Sequence, residues 1–236
     1  MKLENKQESN NQFENFVTIG LSEPLIDLGV DYAEIGVDAI FDNDIVKEIP
    51  VVRTLLSMIK GSIAIKERHF AQKFLSFLQE YHSGNLSKKE KYDFLVKFKE
   101  NKKYKEKVTS LLITTIDRYY DCIQSQIASR LFIAHVKGLI EWDDYVIMCG
   151  CLDKFHPFSI PFLDELEKEE LPYHKAYLSG GDARAAALIS CAFAYQWGTH
   201  FYVTTIGILT HQYGIKGNYL QNAKSILKNT WLKDSI

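Results

Sequence analysis

Apolar residues recur at helical spacing through most of the chain. In the segment Val51–Tyr81 they return every three or four residues, which predicts a long helix that begins near Pro50. Upstream, Ser22 is a suitable N-cap, and the pattern that follows predicts a helix to about Phe41. Further helical patterns cover residues 88–107, 107–137, 142–155 and 159–170. The pattern therefore predicts a mostly α protein, built as a multi-helix bundle.

The composition changes near residue 179. Asp182 precedes an Ala-rich helical pattern, and the aromatic and β-branched residues around Gly198 predict a short β-hairpin. A helix over Thr205–Tyr213 completes an order that resembles the end of a winged helix. We therefore predict a small winged-helix-like C-terminal subdomain that contains this hairpin. The predicted divisions are a disordered tail (1–14), amphipathic membrane-active or oligomerisation helices (15–82), a helical domain (83–178) and the C-terminal subdomain (179–236).

Charge is balanced overall but uneven along the chain. The 28 basic and 30 acidic residues give a net charge of −2, which provides no global attraction to nucleic acid or anionic lipid. At helical spacing, four acids form one stripe, to which the family resemblance described below assigns a pore-lining role: Asp27, Asp31, Glu34 and Asp38. In contrast, residues 49–65 carry only two charges and could lie at a membrane interface. The candidate membrane-active residues there are Arg53, Leu55, Leu56, Ile59, Lys60 and Ile63. The alternative is a core helix of a bundle with two exposed cations.

A lysine-rich stretch follows. Residues 88–107 contain nine lysines and four acids, interleaved with aromatic residues. Such a pattern is compatible with a phosphate-contacting face, but it favours a solvated amphipathic helix with Phe94, Leu95 and Phe98 inward. The candidate ligand-binding residues are Lys97, Lys99, Lys102 and Lys103.

Residues with catalytic or metal-binding chemistry show no motif. The four cysteines lack zinc or disulfide spacing and are expected to be reduced, and the seven histidines are scattered, which favours surface or capping roles. The polar N-terminus lacks a signal peptide, and no run of about 18 uncharged apolar residues predicts an ordinary membrane span. We therefore predict a cytoplasmic protein that is not an enzyme, with no cofactor and no metal site.

Three segments resemble the Abi-alpha abortive-infection family of bacterial anti-phage defence proteins. The main one is DAIFDNDIVKEIPVVRTLLSMIKGSIAIKERHFAQKFLSFL (Asp38–Leu78), and the others are Ser129–Phe155 and Phe201–Leu209. The resemblance implies an antiviral effector that perturbs the membrane when triggered, as in Hailong-type systems, where a partner nucleotidyltransferase controls a channel-forming protein. It further implies a homo-oligomer (we expect a tetramer), an activating nucleotide or oligonucleotide, and association with the inner membrane on activation.

Two other functions fit the residues without the resemblance. One is a helical regulatory or protein-interaction module with a winged-helix-like C-terminus. In that reading DNA contact is disfavoured, because Asp182–Tyr213 contains only Arg184 as a formal cation. The other is an antitoxin-like or immunity partner.

Overall fold

The computed structural model describes residues 14–23, 32–34, 44–58, 65–178 and 181–232, with the backbone alone at residues 45, 55–58 and 65–67. The chain divides into two compact units, Met1–Ser125 (the N-terminal unit) and Gln126–Ile236 (the C-terminal unit). The predicted finer divisions at residues 82 and 178 stay predictions, and the predicted tail lies almost wholly outside the described residues.

The described part of the N-terminal unit is helical. Its helices are residues 14–22 (α1), Asp44–Lys47 (α2), Pro50–Met58 (α3), Ile65–Ser83 (α4), Lys88–Glu100 (α5) and Lys102–Arg118 (α6). The next helix, Cys122–Val136 (α7), runs across the division between the units. Residues 59–64, in the middle of the predicted long helix, lie outside the described residues.

The prediction that Ser22 begins a helix is wrong. Residues 14–22 are already helical, and the backbone N–H of Glu23 still donates to Ile19 O (2.9 Å), so Ser22 lies at the end of α1. Residues 32–34 form a turn, which excludes one continuous helix from Ser22 to Phe41. Packing of the apolar side of α1 favours this helix, because it buries Phe16 against Phe74 of α4 with ring centroids 4.5 Å apart.

The lysine-rich stretch forms two helices because it contains two caps. The Ser87 hydroxyl accepts from the Glu90 N–H (3.2 Å) while the Glu90 carboxylate accepts from the Ser87 N–H (2.7 Å), a capping box that the sequence predicts. Asn101 then ends α5 through its N–H to Lys97 O and begins α6 by accepting from the Tyr104 N–H (3.0 Å). Asn101 therefore acts as both a C-cap and an N-cap.

The C-terminal unit combines short helices with a small sheet. Its elements after α7 are Trp142–Leu152 (α8), a 3₁₀ turn at Pro157–Ser159, Ile160–Glu167 (α9), His174–Lys175 (β1), Ala183–Ser190 (α10), Ala194–Trp197 (β2), His200–Val203 (β3), Thr205–Leu209 (α11), a π-helical segment Thr210–Ile215, and Ala223–Lys228 (α12). Both strand pairings are antiparallel, in the order β1-β3-β2, with Tyr195 opposite Tyr202 and His174 opposite Tyr202 on its other side.

The predicted fold class is confirmed. The protein is mostly helical, and the C-terminal region carries the predicted hairpin, β2–β3, which turns at Gly198 with a positive φ of 59°. Asp182 caps α10 as predicted, by accepting from the N–H groups of Arg184 and Ala185. The sheet also contains β1, which pairs with β3. The sequence did not predict this strand, because two residues are too few to show a strand pattern.

Among the described residues, no helix combines the length and apolar character that a membrane crossing requires.

Candidate functional site

The C-terminal unit holds a cluster of polar side chains that meet around a buried histidine. Asp164 and Glu167 lie three residues apart on α9, which places them on one side of that helix. His211 and Gln212 come from the π-helical segment, and Tyr173 comes from the turn before β1. We call these five residues the polar cluster.

Tyr173 is fixed by its backbone as well as by its side chain. Its φ is +62°, a left-handed conformation that is uncommon for a residue with a side chain. The surrounding structure holds it there, because its N–H donates to Leu166 O (2.7 Å) and its carbonyl accepts from the Val203 N–H (3.0 Å). The ring is thereby directed into the unit, where Tyr173 is only 2% exposed.

One chain of hydrogen bonds joins the polar cluster. Gln212 Nε2 lies 2.6 Å from both Glu167 Oε1 and Tyr173 Oη, so it donates to both. With its oxygen accepting from Gln212, the Tyr173 hydroxyl directs its hydrogen to His211 Nδ1, 2.5 Å away. The hydrogen of His211 is then on Nε2, which donates to Asp164 Oδ1 at 2.8 Å. These donors and acceptors define a neutral His211 imidazole with its hydrogen on Nε2.

The electrostatics of the cluster agree with that assignment. Burial lowers the pKa of His211, and the neighbouring carboxylates oppose this change. Burial also raises the pKa of Tyr173, so its hydroxyl stays protonated. For Glu167, burial acts to raise the pKa, but hydrogen bonds from Lys216 and Gln212 outweigh it and leave the pKa lowered. The cluster therefore contains a neutral imidazole beside an ionised Glu167.

The same groups could hold a metal ion. One ligand atom each from Asp164, Glu167 and His211 lies within 4.8 Å of the others. A neutral imidazole and carboxylate oxygens are ligands of first-row divalent metals. π-Helical segments, one of which carries His211, occur frequently at functional sites.

The prediction that each histidine has a surface or capping role is wrong for His211 and correct for His156. His211 is fully buried, whereas His156 accepts from the Phe158 N–H and caps the 3₁₀ turn. Sequence reasoning missed the polar cluster because 47 residues separate Asp164 from His211. The Asp164-x-x-Glu167 spacing on a predicted helix was the available signal.

A second feature is the outer side of the sheet, which is covered by aromatic rings. Phe201 and Val203 of β3 point inward and are buried, and the alternate residues point outward. We call the outward-facing set the aromatic face: His174, Tyr177, Tyr195, Trp197, His200, Tyr202 and Trp231.

The rings of the aromatic face contact one another across the strands. Tyr202 lies 5.2 Å from Tyr195, 4.8 Å from His174 and 4.9 Å from Trp231, between ring centroids. At the margins Trp197 is 79% exposed and Tyr177 is 81% exposed. The face is therefore an ordered centre with prominent exposed rings at its edge.

Of the acidic stripe, the structure describes one member. Glu34 is exposed in the turn of residues 32–34, and Asp27, Asp31 and Asp38 lie outside the described residues. The predicted pore lining stays a prediction.

The candidate membrane-active residues are described in part. Arg53 is exposed on α3 and pairs with Glu48, whereas Val51 and Val52 beside it are buried. The backbones of Leu55 and Leu56 are helical, and Ile59, Lys60 and Ile63 lie outside the described residues.

All four candidate ligand-binding lysines are exposed on either side of the Asn101 junction. Lys97 Nζ lies 4.5 Å from the centroid of the Tyr104 ring, and Lys102 Nζ lies 3.9 Å from Glu106 Oε1. The inward positions Phe94 and Phe98 are buried, as the amphipathic alternative predicts.

No family model, curated protein or solved structure matches the chain. The fold and the two features define a mostly helical protein whose C-terminal unit carries a buried polar cluster and an exposed aromatic face.

Proposed function

We propose that the protein is a helical regulatory and protein-interaction module that self-associates through the aromatic face of its C-terminal unit. The observation that carries the proposal is the exposure of Trp197 and Tyr177 beside the ordered rings around Tyr202. Tyrosine and tryptophan are enriched among the residues that dominate binding energy at protein interfaces.

A second copy of the chain suits this surface because the aromatic face contains no aspartate, glutamate, lysine or arginine. In a symmetric dimer each patch meets itself, so a charged patch would meet a like charge. A neutral patch avoids that repulsion. Its tyrosine hydroxyl and indole N–H groups can hydrogen-bond at the rim while the rings pack.

Three cations of the C-terminal unit lie in ion pairs, which makes them poor contacts for a nucleic acid. Arg184 pairs with Asp182 and with Glu165, each at 3.0 Å. Lys175 lies 3.8 Å from Glu169, and Lys216 pairs with Glu167. Phosphate binding depends on cations that are available to the phosphate, and these three already have acidic partners.

Sedimentation equilibrium over a range of concentrations tests the proposal. The wild-type chain is expected to associate, and the double variant Trp197→Ala/Tyr177→Ala is expected to raise the dissociation constant by about 30-fold or more, as loss of an interface hot spot does. Tyr92→Ala is the matched control, because Tyr92 is 68% exposed in the N-terminal unit. A monomeric wild type at about 100 µM, or equal effects of the two changes, would contradict the proposal.

The second candidate function is a triggered defence effector that perturbs the membrane, with a nucleotide signal read by the lysines around Asn101. The observation that favours it is the exposure of Lys97, Lys99, Lys102 and Lys103 on two consecutive helices. Exposed cations flanking an aromatic ring such as Tyr104 can contact a phosphate and a base.

Dye release from liposomes tests this second candidate, with the protein alone, with short oligonucleotides and with the product of a neighbouring nucleotidyltransferase. Ligand-dependent leakage is expected to disappear when the four lysines are changed to glutamate. Neutralising Asp27, Asp31, Glu34 and Asp38 is expected to reduce the cation preference of the leak. Absence of leakage under every condition from a well-folded oligomer would contradict this candidate and favour the interaction module.

A further inference from the structure

We propose that Asp164, Glu167 and His211 form a binding site for a first-row divalent transition metal such as Zn²⁺. The site goes beyond self-association and shares no residue with the aromatic face. Its basis is the convergence of one imidazole nitrogen and two carboxylates from α9 and the π-helical segment, with mutual distances within 4.8 Å.

The geometry needs only small movements of the carboxylates. Four ligands about 2.0–2.1 Å from Zn²⁺ in a tetrahedron lie roughly 3.4 Å apart. His211 Nε2 and Asp164 Oδ1 are 2.8 Å apart, so the half-buried Asp164 carboxylate must move away by roughly 0.6 Å to admit the metal, while Glu167 moves closer. Glu167 is half-buried and has a long side chain, so rotation about its side-chain bonds can move its carboxylate by about 1 Å towards His211 and Asp164. Three protein ligands leave the fourth position to water.

His211 is prepared to act as a ligand. Its Nε2 faces the Asp164 carboxylate and its Nδ1 faces Tyr173 Oη, so Nε2 can bind the metal once the ring hydrogen moves from Nε2 to Nδ1. Nδ1–H then donates to Tyr173 Oη, 2.5 Å away. Metal-bound histidines almost always donate their second N–H to a fixed acceptor in this way.

The hydrogen of the Tyr173 hydroxyl also has an acceptor after that exchange. Glu167 Oε1 and Tyr173 Oη both lie 2.6 Å from Gln212 Nε2, so the Glu167 carboxylate is beside the hydroxyl and can accept its hydrogen once the hydroxyl turns from His211. The exchange moves one hydrogen within the cluster and releases none from it. Gln212 continues to donate to the tyrosine oxygen.

In the unbound form, the positive charge beside Glu167 comes from Lys216. Its ammonium pairs with the Glu167 carboxylate, and its side chain is 37% exposed, so it can turn into solvent. The two carboxylates and Lys216 sum to −1. After Lys216 leaves, two carboxylates face a dication and the site is neutral. Lys216 therefore competes with the metal for Glu167.

The choice of metal follows from the ligands. Mg²⁺ and Ca²⁺ prefer sites made of oxygen alone, whereas an imidazole nitrogen with carboxylates suits Zn²⁺, Mn²⁺, Fe²⁺ and Co²⁺. Co²⁺ is a useful probe because its visible absorption reports its ligands.

Titration of the full chain with Co²⁺, followed by displacement with Zn²⁺, tests the site. We expect one equivalent of Co²⁺ to give visible bands without the charge-transfer band that a cysteine ligand adds. Asp164→Asn and Glu167→Gln should each weaken binding by about tenfold or more. Glu170→Gln, a change to an exposed acid just beyond α9, should have no effect.

Lys216→Met separates a metal site from a merely structural cluster. Removal of the competing cation should tighten Co²⁺ binding by roughly threefold or more, an effect that loss of a structural ion pair would not produce. Circular dichroism establishes that each variant is folded, and if Asp164→Asn does not fold, Glu167→Gln and Lys216→Met carry the test. Absence of stoichiometric binding, or unchanged affinity in both of those variants, would overturn the proposal.

Discussion

Tyr173 Oη lies 2.5 Å from Nδ1 of His211, and both side chains are buried in the C-terminal unit. Tyr173 precedes β1, and His211 lies in the π-helical segment 38 residues further on. This one bond joins the turn before β1 to the π-helical segment and, with the hydroxyl as donor, sets the tautomer of the histidine.

Tyr173→Phe should destabilise the C-terminal unit. The change removes an acceptor from Gln212 and a donor from His211 Nδ1, and both lie where water cannot replace the lost partner. Buried groups that lose a partner cost about 1–3 kcal/mol in the free energy of unfolding, which urea titration measures.

Tyr177→Phe is the matched control for that change. Tyr177 also has a positive φ, 59°, but its side chain is 81% exposed. Its side chain therefore faces water, and we expect an effect within about 0.5 kcal/mol. Equal losses from the two changes would mean that the bond to His211 contributes nothing particular.

Gly207→Ala should destabilise the protein because there is no room for a methyl group. A Cβ at Gly207 would lie 2.3 Å from Phe193 O, and that carbonyl is held by the backbone N–H of Thr204 at 2.8 Å. Since backbone must shift to relieve the contact, we expect a loss of about 2 kcal/mol or more in the free energy of unfolding.

Gly150→Ala should have the opposite effect on stability, because this glycine lies in a helix, α8, with free space around it. Gly150 lies exposed in α8, and a Cβ there would meet nothing within 4 Å. Alanine is the better helix former, so this change should stabilise by up to about 1 kcal/mol. Thermal unfolding of the two variants side by side distinguishes local crowding from a general effect of glycine replacement.

Local signals allowed much of the fold to be predicted. The capping box at Ser87 and the hairpin turn at Gly198 both depend on residues within a few positions of one another. Asn101 is the same kind of signal, and its N-cap role could have been predicted. It was hidden because lysines and aromatics continue the helical pattern on both sides of it.

The features that sequence reasoning missed depend on distant contacts. Ser22 has the chemistry of an N-cap, yet α1 precedes it because Phe16 is buried against Phe74. His211 likewise stands in an apolar segment that resembles an ordinary helix. Its role arises only when α9 brings Asp164 to it, and no periodicity in the chain encodes that approach.

The N-terminal unit should lose stability as the pH falls from about 6.5 to about 4. His82 Nε2 lies 2.7 Å from Gly20 O and Lys91 Nζ lies 3.2 Å from His82 Nδ1, so the ring is held neutral. Burial lowers the pKa of His82 from 6.5 to about 4. The Gly20 hydrogen bond opposes this change, and the positive charge of Lys91 adds to it. Between these values the unfolded chain binds a proton that the folded chain does not, so the folded state is disfavoured by acid.

His82→Gln measures this contribution, because glutamine can still donate to Gly20 O but does not titrate. The free energy of unfolding of the wild type should fall more steeply than that of His82→Gln across the window, by at most about 3 kcal/mol. His69→Gln, at an exposed histidine, should follow the wild type. Parallel curves for wild type and His82→Gln would contradict the assignment.

Lys73→Met should destabilise the N-terminal unit even though methionine fits a buried site well. Lys73 of α4 is only 8% exposed, and its ammonium donates to Asp117 O (2.8 Å) and to Tyr119 O at the end of α6. These carbonyls belong to the negative end of the helix, which a cation stabilises. Methionine removes the cost of burying the charge but offers those carbonyls no donor. Hydrogen bonds from a charged group contribute about 1.5–3 kcal/mol, so we expect urea titration to show a net loss of about 2 kcal/mol in the free energy of unfolding. The control is Lys99→Met, at an exposed lysine of α5, which should change that free energy by less than about 0.5 kcal/mol. A variant as stable as the wild type would mean that desolvation of the ammonium cancels its hydrogen bonds.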